Sequence, residues 1–194
     1  DNVPVGRNTI SFTLRRTASG MTAAVRRGGP DRSPLEVVFS PALPLGARVS
    51  GRGVTSTATP GDVHVTTGAR ITDSSFFEVQ YTGGWAILPP VMSAPIGGRS
   101  RAPRVLSERL VGSGSGGYRY VIGLEGVSGQ HYTFAVRAPD EAMAAALEAT
   151  ATASASVQLG PKKPGMLRTV EVIFPSAGAN ADGYTKTTLT LTGA

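Results

Sequence analysis

"NTISFTLRRTASGMTAAVRR", residues 8–27, alternates apolar and polar side chains on both sides of a four-residue break. Ile10, Phe12 and Leu14 fall on one side of an extended chain, and Thr9, Ser11, Thr13 and Arg15 on the other. Met21, Ala23 and Val25 repeat the pattern after the break. Period 2 marks a strand with one buried face, because successive side chains of an extended chain point to opposite sides. "TASG" (17–20) reads as the turn, so the stretch is a β-hairpin with Arg16 opposite Met21.

The same period runs outward along the chain. "PLEVVF" predicts a strand over 35–39, followed by a Pro-rich crossing, a strand near 46–54 and a short one in "DVHVTT" (62–67). "SSFFEVQYTGGWAIL" reads as two strands about Gly83-Gly84, a pair suited to a type I′ turn because glycine accepts φ > 0 at both central positions. "PPVMSAPIGGRSRA" (89–102) reads as an irregular loop. "PRVLSERLV" (103–111) and "GYRYVIGLEG" (117–126) are strands around "GSGSG", and "QHYTFAVRA" (130–138) closes a hairpin across "VSG". In "PDEAMAAALEAT", Met143, Ala146, Leu147 and Thr150 keep helical spacing behind a capping Asp140. "ATASASVQL", "GMLRTVEVIF" and "GYTKTTLTLT" supply the last strands. About eleven strands at this spacing predict an all-β, two-sheet antiparallel β-sandwich with one short helix near 140–150. The expected organisation is a single domain over 1–194, with a weak boundary or insertion near 139–165 and no internal repeat.

Composition agrees with that class and narrows function. Only 16% of residues are charged, while Gly (25) and Pro (14) are abundant, which favours turns and strands. The absence of cysteine excludes disulfides and thiolate metal sites. No apolar run approaches the roughly 18 residues that a membrane span needs. A cysteine-free, Ser/Thr/Gly-rich β chain starting at Asp1 is the kind met among bacterial exported proteins, as a processed product or a fragment. The expected location is therefore secreted, periplasmic or at the cell surface.

A formal charge of +6 invites a nucleic-acid reading. The hairpin register answers it. Arg15-Arg16 and Arg26-Arg27 fall at opposite ends of the ladder, and neighbours on a strand face opposite ways. "GGRSRAPR" (97–104) is the one local cluster and has no interleaved aromatic to stack on bases. No nucleic-acid partner is expected.

Little in the chain resembles catalysis. Asp62 and His64 share a strand face, but no G-x-S-x-G elbow accompanies them, and "GSGSG" is a turn. His131 stands between Gln130 and Tyr132, where a structural or solvated role suffices. Glu78, Glu108, Glu125 and Glu171 lie on separate strands, so no carboxylate pair can be assembled from sequence. "GANADGY" (178–184) echoes a calcium loop but lacks the later carboxylates, so it reads as an Asp-Gly turn. The expectation is no enzyme, no cofactor and no metal.

Candidate ligand-binding residues come from the aromatic inventory. With Gly83-Gly84 as a two-residue turn, Trp85 pairs with Thr82 and falls on the polar face beside Glu78 and Gln80. There an indole flanked by a carboxylate and an amide suits a sugar ring. Phe76 and Ile87 share that face, and the 89–102 loop folding over it would instead make Trp85 core. Tyr184, opening the last strand after an Asp-Gly turn, is a candidate rim residue. Tyr118 and Tyr120, aligned with Ile122 and Leu124, read as core, as does Tyr132 with Phe134 and Val136.

Three phrases carry a family resemblance. "LEVVFSPALPLGARVSGRGV", "VIGLEGVSGQHYTFAVRAP" and "TVEVIFPSAGANADGYTKTTLTL" resemble, in that order, the C-terminal accessory β-sandwich of bacterial exported proteins similar to glycogen-debranching enzymes and other (α/α)-barrel glycoside hydrolases. The resemblance implies a non-catalytic module that packs on a catalytic helical domain or helps to hold glycan. The catalytic carboxylates of such families sit in the helical barrel, so no catalytic residue carries over. Against this stand a structural or adhesive subunit of an extracellular assembly, with self-assembly or edge pairing to partners, and a stand-alone sandwich hydrolase. A glycan binder should show a contiguous strip of exposed aromatics, whereas an assembly subunit should show an exposed apolar edge or patch.

Overall fold

The computed structural model describes residues 2–17, 19–56, 65–94, 96–112, 118–152, 154–162 and 165–193. Among the described residues the chain is all-β with one short helix, as the alternation predicts. Its strands form four antiparallel sheets in two compact units, the first built from residues 1–43 and 47–82, the second from 44–46 and 83–194. This differs from the expected single sandwich, and the division falls after Thr82, not near 139–165. Each sheet lies wholly within one unit, which alternation alone cannot reveal, since it fixes faces and not partners. Asp62, His64 and residues 113–116 of "GSGSG" lie outside the described residues.

Unit 1 contains β1 (Val3–Val5), β2 (Asn8–Arg16), β3 (Gly20–Gly28), β4 (Leu35–Phe39), β5 (Arg48–Ser50), β6 (Val54–Ser56), β7 (Val65–Ile71) and β8 (Ser74–Thr82). They make a five-stranded sheet, β1-β2-β3-β8-β5, and a three-stranded sheet, β4-β7-β6. The β2–β3 hairpin has the expected register, Arg16 opposite Met21, closed by Thr17 N donating to Gly20 O at 2.9 Å. Inward side chains pack as two adjoining clusters. Met21, Leu43, Val65, Val79 and Tyr81 form one, with Val49 and Val54 against it. Ala23, Val25, Ile71 and Phe77 form the other, joined by Ile10, Leu35, Val37 and Phe39.

Unit 2 contains β9 (Ala86–Leu88), β10 (Arg104–Gly112), β11 (Tyr118–Val127), β12 (His131–Arg137), α1 (Glu141–Ala145), β13 (Leu147–Ala151), β14 (Ser156–Leu159), β15 (Leu167–Ile173) and β16 (Tyr184–Gly193). Its sheets are β10-β11-β16-β13 and β14-β15-β12-β9. β11 and β12 therefore stand in different sheets, and "VSG" is an arch between sheets, not the expected hairpin turn. Tyr120, Ile122 and Leu124 from one sheet and Phe134, Val136, Val170 and Val172 from the other are buried. Asp140 caps α1, its Oδ1 accepting from Met143 N at 2.7 Å. The helix is shorter than its pattern, because Leu147–Ala151 pairs with β16, and a ladder gives those backbone groups partners that a lone exposed turn cannot. Among the described residues no helix is long and apolar enough to cross a membrane.

Candidate binding surfaces

The hairpin that was to place Trp85 beside Glu78 and Gln80 does not form. Gly83 and Gly84 do take positive φ, +69° and +85°. Beyond them, however, the chain does not return along β8: β5 pairs with Gln80–Thr82 on one side, while on the other β3 pairs with Gln80 and Ser19 O accepts from Tyr81 N. Instead Trp85 bridges to Leu45 through Trp85 N to Leu45 O at 2.8 Å and Leu45 N to Trp85 O at 2.6 Å, and β9 pairs with β12. Trp85 is 3% exposed, its ring 5.6 Å from that of Tyr120. It plugs the core of unit 2 and offers no face to a ligand, which corrects the expected role.

Tyr184 is also buried, and its expected rim position is corrected with it. Arg104 covers its ring, with the guanidinium carbon 4.7 Å from the ring centre, and also bonds the buried Glu125 at 2.9 Å. The Tyr184 hydroxyl donates to Ser100 O at 2.8 Å, and Tyr132 likewise to Arg101 O at 2.8 Å. Both tyrosines thus fasten the loop that carries "GGRSRAPR". The 178–184 loop is an Asx turn: Asn180 Oδ1 accepts from Asp182 N (3.0 Å) and Tyr184 N (2.9 Å). Among the described residues no group of three His, Asp or Glu side chains could hold a metal.

Glu78 and Gln80 sit as expected on the outer, exposed face of β8, with Gln80 Nε2 donating to Glu78 Oε1 at 2.9 Å. They line a groove of about 730 Å³ together with Arg52, Ser75 and Phe76. Phe76, 63% exposed, is the aromatic of that face. The groove exists because β5 is only three residues long: it pairs with Gln80–Thr82, and the chain turns away at Gly51–Gly53.

A second surface was not anticipated. The inward row of β2, read as core from its alternation, is bare over Phe12 (55% exposed) and Leu14 (50%), and Val3 (46%) and Val5 (39%) of β1 are bare beside it. All four belong to the side of the sheet that faces the core, since Phe12 pairs with Val25, Leu14 with Ala23 and Val3 with Ile10. Five strands stand against three, and among the described residues the opposing sheet covers Ile10 of β2 but ends before it covers Phe12, Leu14 and β1. The sequence shows which face is apolar, but the number of strands available to cover it is a property of the whole unit.

The remaining polar pairs are peripheral. His131 Nδ1 lies 2.6 Å from Glu171 Oε1 across β12 and β15, both exposed enough for water to screen the contact. At the far end of the bare row the buried Arg27 donates to Ser33 O and lies 3.8 Å from Asp31. Hydrogen bonds from Ser33, first its backbone N–H at 2.8 Å, hold the Asp31 carboxyl below its usual value, with Arg27 and Asn8 assisting. Comparison of the chain with protein-family models, curated proteins and solved structures gave no match.

Proposed function

We propose that the chain is a non-catalytic module of an exported assembly, and that it works by binding another protein through the bare apolar face of unit 1. The observation that carries this reading is the set of large apolar side chains left exposed on the core-facing side, Phe12 and Leu14 of β2 and Val3 and Val5 of β1, the last two standing opposite Ile10 and Asn8. Large side chains left in water on the core-facing side of a sheet have a favourable free energy of burial, about 25 cal/mol per Å² of apolar area, available to a partner. Soluble monomers rarely leave such patches unless they are used. The aromatic strip that a glycan platform needs is not supported in the same way: Trp85, Tyr81, Tyr120, Tyr132 and Tyr184 are buried, and Tyr118, expected in the core, is exposed on β11 in the other unit from Phe76.

Glycan binding, with its link to glycan-processing proteins, is the second reading. Its support is the groove lined by exposed Phe76, a carboxylate–amide pair and Arg52, a set of groups able to stack on a sugar and bond its hydroxyls.

One experiment separates the two. Benzoylphenylalanine installed at position 14 and irradiated in the producing cell should yield protein adducts, while the same residue at position 76 should not, and a glycan array should stay silent. Absence of adducts from position 14, together with glycan binding that Phe76→Ala abolishes, would overturn the first reading in favour of the second.

A further inference from the structure

The bare face adjoins a strand edge that no described strand pairs with. In the three-stranded sheet, β6 lies on the β5 side, linked to it through Gly51–Gly53, with Val54 packed among Val49, Val79 and Tyr81. β4 lies on the opposite side, its Leu35 and Val37 packing with Ile10 of β2 against Ala23 and Val25. The next lane outward, beside β4 and over Phe12 and Leu14, holds no strand among the described residues. β4 is the terminal strand of its sheet, paired on one side only, with β7. Its other side presents alternate backbone N–H and C=O groups along Leu35–Phe39, a template for another strand.

Two further features specify what enters. β1, the nearest edge of the five-stranded sheet, carries Pro4 at its centre, which has no N–H to give, so an added strand is directed to β4. The core-facing row of β2 continues from Phe12 and Leu14 to Arg16, which pairs with Met21 and is exposed. An occupant therefore meets two apolar side chains and then a guanidinium along one line, at the two-residue spacing of a strand.

We infer that this lane receives an extended segment of another protein that adds to the free edge of β4. The segment sets alternate apolar side chains on Leu14 and Phe12 and a carboxylate side chain against Arg16. This inference rests on the protein-binding reading and gives it a mode and a partner chemistry: main-chain hydrogen bonds supply the general attraction, and the Phe12–Leu14–Arg16 row supplies the selectivity. Opposite charge at the lane end steers and registers the strand more than it tightens it.

The test uses the whole chain and the synthetic peptide acetyl-Asp-Thr-Val-Thr-Val-Thr-Val-amide. Amide hydrogen exchange should slow along Leu35–Phe39 when the peptide is added and stay unchanged along β6. Phe12→Thr, at a side chain more than half exposed and so compatible with folding, should weaken binding by about tenfold or more. Arg16→Glu should reverse the preference toward a peptide with Lys in place of Asp. Protection appearing elsewhere, equal binding to Phe12→Thr, or self-association of the chain through this lane that the peptide fails to displace would each overturn the inference. Adducts from position 14 persisting while β4 stays unprotected would overturn strand addition alone. Loss of both would overturn the protein-binding reading as well.

Discussion

The ring of Trp85 lies 5.6 Å from that of Tyr120 at an interplanar angle of 31°, and both side chains are buried. Trp85, bridged to Leu45, directly precedes β9, and Tyr120 lies on β11, a strand of the other sheet of unit 2. The largest side chain of the protein thus acts as packing, and its partner is a phenol that donates to Glu108.

Removing the indole should therefore be felt as lost stability. Trp85→Ala should destabilise unit 2 by about 3–5 kcal/mol, the usual range for a large aromatic deleted from a packed core. Urea unfolding followed by circular dichroism measures it. The wild-type emission should be blue-shifted, shielded from acrylamide and indifferent to added oligosaccharide. Emission quenched by a sugar would contradict a buried Trp85.

Tyr120 predicts an alkaline weakness. Burial raises its pKa first, and donation to the Glu108 carboxylate and that carboxylate's charge raise it further. The sign follows from linkage: the unfolded phenol ionises near 10.0 while the folded one stays protonated, so the unfolded state sheds a proton that the folded state keeps. Stability should be flat in this respect below pH about 10 and fall as pH rises beyond it. Tyr120→Phe should lower stability at pH 7 through loss of the Glu108 bond, yet show a shallower decline between pH about 9.5 and 11. An unchanged slope would remove Tyr120 as its source.

How much of this was legible in the sequence depends on which residues are asked. The β2–β3 register could be read because a polar four-residue break closes a hairpin locally, leaving Arg16 opposite Met21. Gly83-Gly84 signals positive φ at both positions, which the structure shows, but carries no information on which strand follows it. The competitor was a non-local strand, β5, which already occupied the edge of β8. For the same reason the Glu78–Gln80 pair was foreseen and its aromatic neighbour misassigned, since Phe76 is local to that face and Trp85 is not. Tyr184 looked like a rim residue after its Asx turn, and only the fold shows Arg104 lying across its ring. Phe12 and Leu14 carry a core pattern yet stay exposed, with no strand over them among the described residues, and alternation holds no information about the size of the opposing sheet.

Gly126 of β11 should tolerate no side chain. A Cβ built there would stand 2.6 Å from Phe174, a ring fully enclosed and therefore unable to swing away. Gly126→Ala should cost roughly 1–3 kcal/mol through overpacking. Phe174→Leu in the same chain should restore part of that loss. A double-mutant cycle on thermal unfolding checks the coupling, and additive losses would place the strain elsewhere.

Asp31 gives the acid counterpart of Tyr120. Its carboxyl titrates below 3.8 in the folded chain because Ser33 bonds the charged form, so it stabilises the 31–33 turn above the ordinary carboxylate range and ceases to do so as pH falls through the lowered value. The group is exposed, so the effect is local. Carbon-13 titration of Asp31 should show the lowered midpoint, and Ser33→Ala should shift it only part of the way back, because the backbone N–H of residue 33 is retained. A midpoint at or above 3.8 in the wild-type chain would contradict the Ser33 contacts.

Arg168 supplies the sharpest test of unit 2. Buried on β15, it donates through Nη1 to Ala144 O at 2.9 Å and through Nη2 to Gly160 O at 2.7 Å. One guanidinium thereby ties the end of α1 to the exit of β14, two segments that helix and ladder bonds leave with open carbonyls. Arg168→Met fills the volume but strands both acceptors and should cost on the order of 3 kcal/mol. Arg168→Lys, whose ammonium lacks the planar fork, should keep one bond at best and fall between. Amide exchange distinguishes this from a general packing loss: Ala144 and its α1 neighbours should open first in both variants, ahead of β12 and β15. Uniform opening across the sheet would show that Arg168 fills space and does not join these segments.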